Sequence, residues 1–467
     1  MWCDVDAERF IDLQPLLEFP NPEHEKQRKL IKAGIMRWAA HLEPTVRLYR
    51  THAAGTEAGA WFKPRTYSVP MGAAWCNVER EDALRYYSRV HGFTWLMDHQ
   101  KRAAVAALRW RSGVIVAPCG AGKTQVGVAL HAASKTELPT LVIVHTRDLA
   151  LQWADRVERL LGIKALVATG AKGFARAMQD AGEQDESVII ATVQTLAKVD
   201  EVVCRPSVPP TKLLETYAFG LVILDEAHHA PASTFQSVLG AIQCQTVYGL
   251  TATPERSDGW TPAMYAWLGP KRYEVQARDL QAIGLTLAPR IVIVKTGCYA
   301  TTGDFTEACT QLAASDERNA IIAELVETHG EFPQLVLTSR IEHAEELAKV
   351  IPNSIVVTGR SKLREKAFAD IRGKVVNVLI ATQLADEGLD LPGLVAVHLT
   401  MPSRAEGRVV QRVGRVMRAA PGKGRPTVYD YVDDMGLFES QARARMRAYR
   451  ELGNVAWGNV DRRRAKA

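Results

Sequence analysis

Three short clusters carry residue types and spacings that chemistry needs. The first is Ala117-Pro118-Cys119-Gly120-Ala121-Gly122-Lys123-Thr124, set between an apolar run and a stretch of helical pattern. Glycines such as Gly120 and Gly122 let backbone N–H groups close on an anion at a helix N-terminus, where the helix dipole favours negative charge. Lys123 is placed to reach the β- and γ-phosphates of a nucleotide, and Thr124 to offer its hydroxyl to Mg2+. Ala117 stands where the strict pattern has a first glycine; the alternative is a Gly-rich turn that binds nothing. The second cluster is Leu221-Val222-Ile223-Leu224-Asp225-Glu226-Ala227-His228-His229. Four apolar residues deliver two adjacent carboxylates to a strand's C-terminal end, the edge where open α/β sheets bind ligands. Asp225 suits Mg2+ and Glu226 suits orienting and polarising an attacking water. A zinc reading of His228 and His229 fails, because helical zinc pairs sit at i, i+4.

The third cluster is Gln411-Arg412-Val413-Gly414-Arg415-Val416-Met417-Arg418. Arg412, Arg415 and Arg418 are spaced by three and share one helical face. Forked guanidiniums there suit a phosphate chain, although alone the segment reads equally as a solvated basic helix. Arginines brought to a transferring phosphoryl group are worth roughly 10³–10⁵ in rate. The candidate catalytic set is therefore Lys123, Asp225, Glu226, Arg412 and Arg415.

The elements that must position these residues follow from short apolar runs. Val114–Ala117, Leu141–Val144, Val188–Ala191, Leu221–Leu224 and Val247–Leu250 alternate with helical stretches such as Thr124–Ala133 and Arg147–Leu160. Buried parallel strands separated by helices give this βαβ signature. It repeats with strands at Leu335–Thr338, Ile355–Thr358, Val376–Ala381 and Val395–Thr400, and helices near 341–349, 362–371 and 404–418. The expected organisation is a small N-terminal accessory domain over 1–88, an α/β domain over 89–275 and a linker over 276–319. A second α/β domain over 320–450 and a basic tail over 451–467 complete it. The linker carries strand-like Ile291–Val294, and Ser68–Trp75 reads as a strand entering a turn. Residues 1–88 hold four of the ten tryptophans, Trp2, Trp38, Trp61 and Trp75, which either fill a small core or stack on bases.

Composition excludes several classes. The 467 residues are 47% hydrophobic and 24% charged, as in a globular protein rather than a disordered, collagen-like or coiled-coil chain. No apolar run is long enough to span a membrane, and the acidic start MWCDVDAERF does not read as a secretion signal. The seven cysteines are scattered without a CxxC pair, which fits reduced thiols in a cytoplasm rather than disulfides, zinc or an iron–sulfur cluster. The net charge is +6, yet residues 401–467 alone hold fifteen Lys and Arg against seven Asp and Glu. That imbalance points to an anionic partner such as nucleic acid, or to a solvated face.

Taken in order, the clusters resemble superfamily 2 helicases and translocases of the DEAD/DEAH-box type, in the branch containing XPB and the UvsW-like helicases. The resemblance covers about residues 90–435. It rests on His99-Gln100, the 117–124 loop, His145-Thr146-Arg147 with Gln152-Trp153, Thr192-Val193-Gln194-Thr195-Leu196, DEAHH at 225–229, and Gly249-Leu250-Thr251-Ala252-Thr253-Pro254. In the second half it rests on Leu337-Thr338-Ser339-Arg340, on Ala381-Thr382 through Gly388-Leu389-Asp390-Leu391-Pro392, and on 411–418. In that family alanine commonly replaces the loop's first glycine.

The resemblance implies two tandem RecA-like doubly wound parallel-sheet domains that bind ATP and Mg2+. It implies that Gln100 reads the adenine side and that Gly120, Ala121, Gly122, Lys123, Thr124, Gly388, Asp390 and Gln411 hold the nucleotide. Thr124 and Asp225 would hold the metal, and Arg412 and Arg415 would act as fingers. Thr146, Arg147, Gln152, Thr192, Gln194, Arg340 and Thr382 would contact nucleic acid, with Thr251 and Thr253 coupling that groove to hydrolysis. The stretch Glu255-Arg256-Ser257-Asp258 departs from the Arg-Glu-Asp loop of XPB-like enzymes, so it receives no role. The expectation is an ATP-driven helicase or translocase on DNA rather than RNA, in a bacterial or phage-infected cytoplasm, without a membrane partner and compatible with a monomer. An RNA helicase, the motor subunit of a restriction or defence complex, and a nucleotide-gated scaffold without turnover are the competing readings.

Overall fold

The computed structural model describes residues 2–6, 18–20, 22, 45–47, 50–52, 66–70, 83–184, 186–199, 217–256, 258–358, 364–382, 391, 393–401, 413–414 and 416–462. Apart from the four residues Pro118–Ala121, the chain divides after Val275 into two compact units. The described residues of the N-terminal part include five short strands: β1 (Trp2–Asp6), β2 (Glu18–Pro20), β3 (Thr45–Arg47), β4 (Arg50–His52) and β5 (Thr66–Pro70). Strand β5 pairs antiparallel with β1 and β4, and β2 with β3. The strand expected from Ser68 is present as the end of β5. Trp38, Trp61 and Trp75 lie outside the described residues.

The first unit then builds one sheet. Its elements are α1 (Ala83–Gly92), α2 (Asp98–Leu108), β6 (Ser112–Val116), α3 (Lys123–Ser134), β7 (Thr140–Val144), α4 (Arg147–Leu161), β8 (Leu166–Ala168) and α5 (Gly170–Ala181). They continue through β9 (Val188–Thr192), α6 (Val193–Val199), β10 (Ala218–Phe219), β11 (Leu221–Asp225), α7 (Ser233–Ala241), β12 (Gln243–Cys244), β13 (Val247–Thr251), α8 (Thr261–Leu268) and β14 (Lys271–Glu274). Seven strands lie in the order β14-β6-β13-β11-β7-β9-β8, all parallel.

The period of two in a strand explains the layering. Leu141 and Ile143 of β7, with Val222 and Leu224 of β11, enter one core against α5, α6, α7 and α8. Val142 and Val144, with Leu221 and Ile223, enter the other against α1, α2, α3 and α4. Both faces are covered, which is why the strands read as unbroken apolar runs. Helix α4 begins where the Thr146 hydroxyl accepts the Leu149 N–H at 3.3 Å and stops at Gly162, whose φ is +70°.

The second unit contains α9 (Ala277–Ala282), β15 (Arg290–Lys295), α10 (Phe305–Ala313), α11 (Asp316–His329), β16 (Gln334–Thr338), α12 (Ile341–Val350), β17 (Ser354–Val357) and α13 (Arg364–Arg372). After these come β18 (Val378–Thr382), β19 (Ala396–Leu399), β20 (Thr427–Val432), α14 (Gly436–Arg450) and β21 (Ala456–Asp461). Its sheet runs β17-β18-β16-β19-β20-β15-β21, again all parallel. Both units are thus doubly wound α/β, as the sequence implied. The boundaries differ in two places. Strand β15, from the stretch read as a linker, pairs with β20 and β21, and β21 comes from the stretch read as a tail. Ile291 and Ile293 enter one core and Val292 and Val294 the other, so β15 is fully packed. Of the helix expected over 404–418, the described residues 413, 414 and 416 are helical and most of the rest lies outside the described residues.

Several buried polar networks sit among the described residues of this unit, and two bear on its stability. Arg318, at the start of α11, donates from Nε to Asp433 Oδ1 at 2.8 Å and from Nη2 to Asp433 Oδ2 at 3.1 Å, and it also bonds the Thr400 carbonyl. Thr296 Oγ1 donates to Asp433 Oδ1 at 2.7 Å. Thr296, Thr400 and Asp433 follow β15, β19 and β20, so one guanidinium ties the C-terminal ends of three strands.

Farther down the sheet, His398 is enclosed. The Gln334 amide nitrogen is spent on the Val326 and Glu331 carbonyls, so Gln334 Oε1 accepts from His398 Nε2 at 2.9 Å. His398 Nδ1 then accepts from the Tyr431 hydroxyl at 2.9 Å. Burial pushes its pKa down to about 3. An unfolded histidine takes up a proton near 6.5, so below that pH the unfolded chain binds more protons and stability falls. Between pH 7 and 4.5 this site is expected to remove about 2–3 kcal/mol from the second unit's unfolding free energy. Urea unfolding of His398→Gln at the two pH values is expected to give a lower stability at pH 7 but a shallower fall. An unchanged fall would remove His398 from the account.

Candidate functional site

Three neighbouring strands of the first unit end side by side. Val116 of β6 pairs with Thr251 of β13, and Leu250 with Asp225 of β11. The loop that leaves β6 is pinned at its root, where the Ala117 N–H donates to the Thr251 carbonyl at 2.9 Å. It turns through Gly122, whose φ is +81°, and enters α3 at Lys123. A Cβ at Gly122 would collide with the Gln100 side-chain amide. Gln100 is buried, and its Oε1 accepts the Met97 N–H at 2.9 Å, so this glutamine is packed against the loop that opens α3. Lys123 Nζ donates to the Ala117 carbonyl at 3.4 Å, which folds the ammonium back over the loop.

Asp225 is buried at the end of β11, and both its oxygens are engaged. Oδ1 accepts the Glu226 N–H at 3.0 Å, and Oδ2 accepts the Trp153 indole N–H at 2.7 Å. Burial first, and then the neighbouring Glu226 carboxylate, push its carboxyl up to about 6, against the opposing pull of Lys123 and the two N–H donors. Glu226 adopts a left-handed backbone, φ 51° and ψ 55°, a costly conformation for a residue with a Cβ. Its Oε2 is buried without a hydrogen-bond partner among the described residues and lies 3.5 Å from His228 Nδ1.

That nitrogen is also 3.2 Å from Thr251 Oγ1, which donates to the Thr253 carbonyl at 3.1 Å and accepts the Thr253 N–H at 3.2 Å. Glu226, His228, Thr251 and Thr253 therefore form one line of contacts. Arg256 bonds the His228 carbonyl and pairs with Asp258, its Nε 2.9 Å from Oδ1, which ties the stretch left without a role to this line.

The fit to a divalent cation follows from the donors. The Thr124 hydroxyl and the Asp225 carboxylate are hard oxygen ligands of the kind Mg2+ takes, and Mg2+ keeps several waters. Glu226, with an unpartnered buried oxygen, offers an acceptor for a water.

The edge continues past β11. Thr146 and Arg147 follow β7, and Thr192 ends β9, the next strand. Arg147, Gln152 and Gln194 are exposed. The two threonines are occupied in starting helices: Thr146 caps α4, and Thr192 Oγ1 accepts the Thr195 N–H at 3.2 Å. The rings of His145 and His229 stack at 4.6 Å, joining the end of β7 to the residues after Asp225. In the second unit, Thr382 ends β18 and is buried, and Arg340 follows the neighbouring β16 and donates to the Thr306 carbonyl at 2.6 Å. Gly388, Asp390, Gln411, Arg412 and Arg415 lie outside the described residues. Trp153, quoted with Gln152 in the resemblance, receives no role from the sequence. The structure buries it against Asp225, a role for which a large aromatic on the inward face of an amphipathic helix was the only signal.

Residues 94–256 match the family described as Type III restriction enzyme, res subunit, and residues 317–420 match the Helicase conserved C-terminal domain. The DNA 3'-5' helicase XPB of Kineococcus radiotolerans is 30% identical over 352 residues, 73% of this chain and 60% of that protein. Over both matched segments the chain is thus similar to helicases. The DNA 3'-5' helicase XPB of Mycobacterium tuberculosis is 28% identical over 372 residues, covering 77% of this chain and 64% of that one. The chain thus spans less than two thirds of the length of either relative. Its fold also matches the ATP-dependent Type ISP restriction-modification enzyme LlaBIII bound to DNA, with a TM-score of 0.58 and 15% identity over 78% of this chain and 31% of that one. No described helix is long and apolar enough to cross a membrane.

Proposed function

We propose that this chain is an ATP-driven motor on nucleic acid, with DNA preferred over RNA. The observation that carries the reading is the edge of the first sheet. Lys123 follows β6, Asp225 ends β11 with Glu226 next to it, and β13 lies between the two strands, while Glu226 Oε2 is buried with no hydrogen bond among the described residues. In this reading the loop N–H groups and Lys123 hold the phosphates, and Glu226 orients and polarises the attacking water. Thr124 and Asp225 would hold Mg2+, which when bound neutralises charge on the phosphate oxygens. Gln100, Gly388, Asp390 and Gln411 complete the nucleotide contacts, and Arg412 and Arg415 stabilise the transferring phosphoryl group.

The line from Glu226 through His228 and Thr251 to Thr253 gives hydrolysis a path along the same edge. That edge carries Arg147, Gln152 and Gln194, which with Arg340 are proposed to meet the phosphate backbone. The first two relatives are both named DNA 3'-5' helicase, which favours DNA, and residues 1–88 are proposed as an accessory domain. Phosphate release measured without nucleic acid and with single-stranded DNA, duplex, forked DNA and RNA tests the reading. Stimulation by DNA above RNA is expected, and no hydrolysis under any condition would end it. Arg415→Ala is expected to cut turnover about 10³-fold while leaving nucleotide binding within a few-fold. Normal turnover in that variant would remove its finger role.

A further inference from the structure

We propose that Trp153 is a positioning residue that fixes the Asp225 carboxylate against the start of α3 and so sets how tightly Mg2+ is held with nucleotide. The inference rests on the nucleotide reading above. The indole N–H donates to Asp225 Oδ2 at 2.7 Å, and the ring is buried, with 1% of its surface exposed. The other carboxylate oxygen takes the Glu226 N–H at 3.0 Å, so each oxygen of Asp225 is held by one donor. The same ring lies on α3 at Gly127, where a Cβ would run into the far edge of the indole. Gly127 stands one turn after Lys123 and Thr124 on that helix. One rigid side chain thus touches both the strand end that carries Asp225 and the helix that carries Thr124, the two sources of metal ligands. The donor is also neutral. A lysine or arginine at this place would orient the carboxylate but cancel the charge the metal needs, whereas an indole orients it and leaves the charge in place.

Trp153→Phe keeps an aromatic ring in the pocket and removes the donor together with part of the indole's packing. The test titrates Mg2+ into a fluorescently labelled ADP bound to the full chain, with phosphate release followed in parallel. The Mg2+ concentration at half-effect is expected to rise about tenfold, the loss of one hydrogen bond to a charged group. Nucleotide binding without Mg2+ is expected to stay close to that of the original chain, and the variant to remain folded with a lower unfolding temperature. A wild-type Mg2+ midpoint in folded Trp153→Phe overturns the proposal. Gly127→Ala is the second variant and decides the matter if Trp153→Phe does not fold. It displaces the ring without touching the donor, so a raised midpoint supports the proposal and an unchanged one overturns it. If the unaltered chain binds no labelled nucleotide at any Mg2+ concentration, the nucleotide reading itself has failed, and the proposal with it.

Discussion

Lys123→Ala is expected to abolish nucleotide hydrolysis, lowering phosphate release at saturating nucleotide by at least about 10³-fold. Removing one preorganised group aimed at developing charge costs roughly 10²–10³ in turnover. Lys123 carries a full charge and is held over the loop by the Ala117 carbonyl at 3.4 Å. Its methylene stem is only partly buried, so truncation leaves no large cavity and the first unit should stay folded. Labelled nucleotide should also bind more weakly, because the ammonium meets ground-state phosphates as well as the transition state. The pair of measurements separates this change from one at Glu226, which should lower turnover while leaving binding near normal. Turnover within tenfold of the original chain would show that the loop does not hold the reacting phosphates.

The second large effect concerns stability. Asp433→Ala is expected to destabilise the second unit by about 3–5 kcal/mol, because it leaves the Arg318 guanidinium buried and unpaired. The side chains of the pair are 0% and 1% exposed, so water cannot compensate. The carboxylate also anchors Thr296 at 2.7 Å, and its loss frees the ends of adjoining strands. Calorimetry should show the transition of the second unit moving down while that of the first stays in place. A double change, Arg318→Met with Asp433→Leu, should recover much of the loss, since a buried pair replaced by apolar residues is often close to neutral. A single Asp433→Ala loss under about 1 kcal/mol would contradict the buried-charge argument.

Much of this was legible in the sequence, for a physical reason. Strands buried on both faces are apolar along most of their length, so β6, β7, β9, β11 and β13 are legible as short apolar runs. The acidic pair and the glycine loop were legible because phosphate chemistry constrains residue types at fixed spacing. Sheet membership was not. Arg290–Lys295 reads as a strand, but nothing local says which of two sheets it joins, and Ala456–Asp461 contains Gly458 and Asn459, which lower its strand signal. Conformation was hidden as well. The left-handed turn at Glu226 and the burial of Trp153 beneath Asp225 both follow from packing of distant segments. The helical pattern over Arg147–Leu160 does not name what Trp153 meets.

The pairing of β15 has a consequence for how the protein is made. Arg290–Lys295 emerges during translation long before either of its neighbours, Thr427–Val432 and Ala456–Asp461. Until those late segments arrive, a strand with the apolar centre Ile291–Val294 waits with both of its flanks open, a template for association with the wrong chain. Nascent polypeptides stalled anywhere between the two should therefore be strong clients for chaperones. For the same reason, fusions or trims near β21 should affect yield more than their distance from the phosphate loop would suggest.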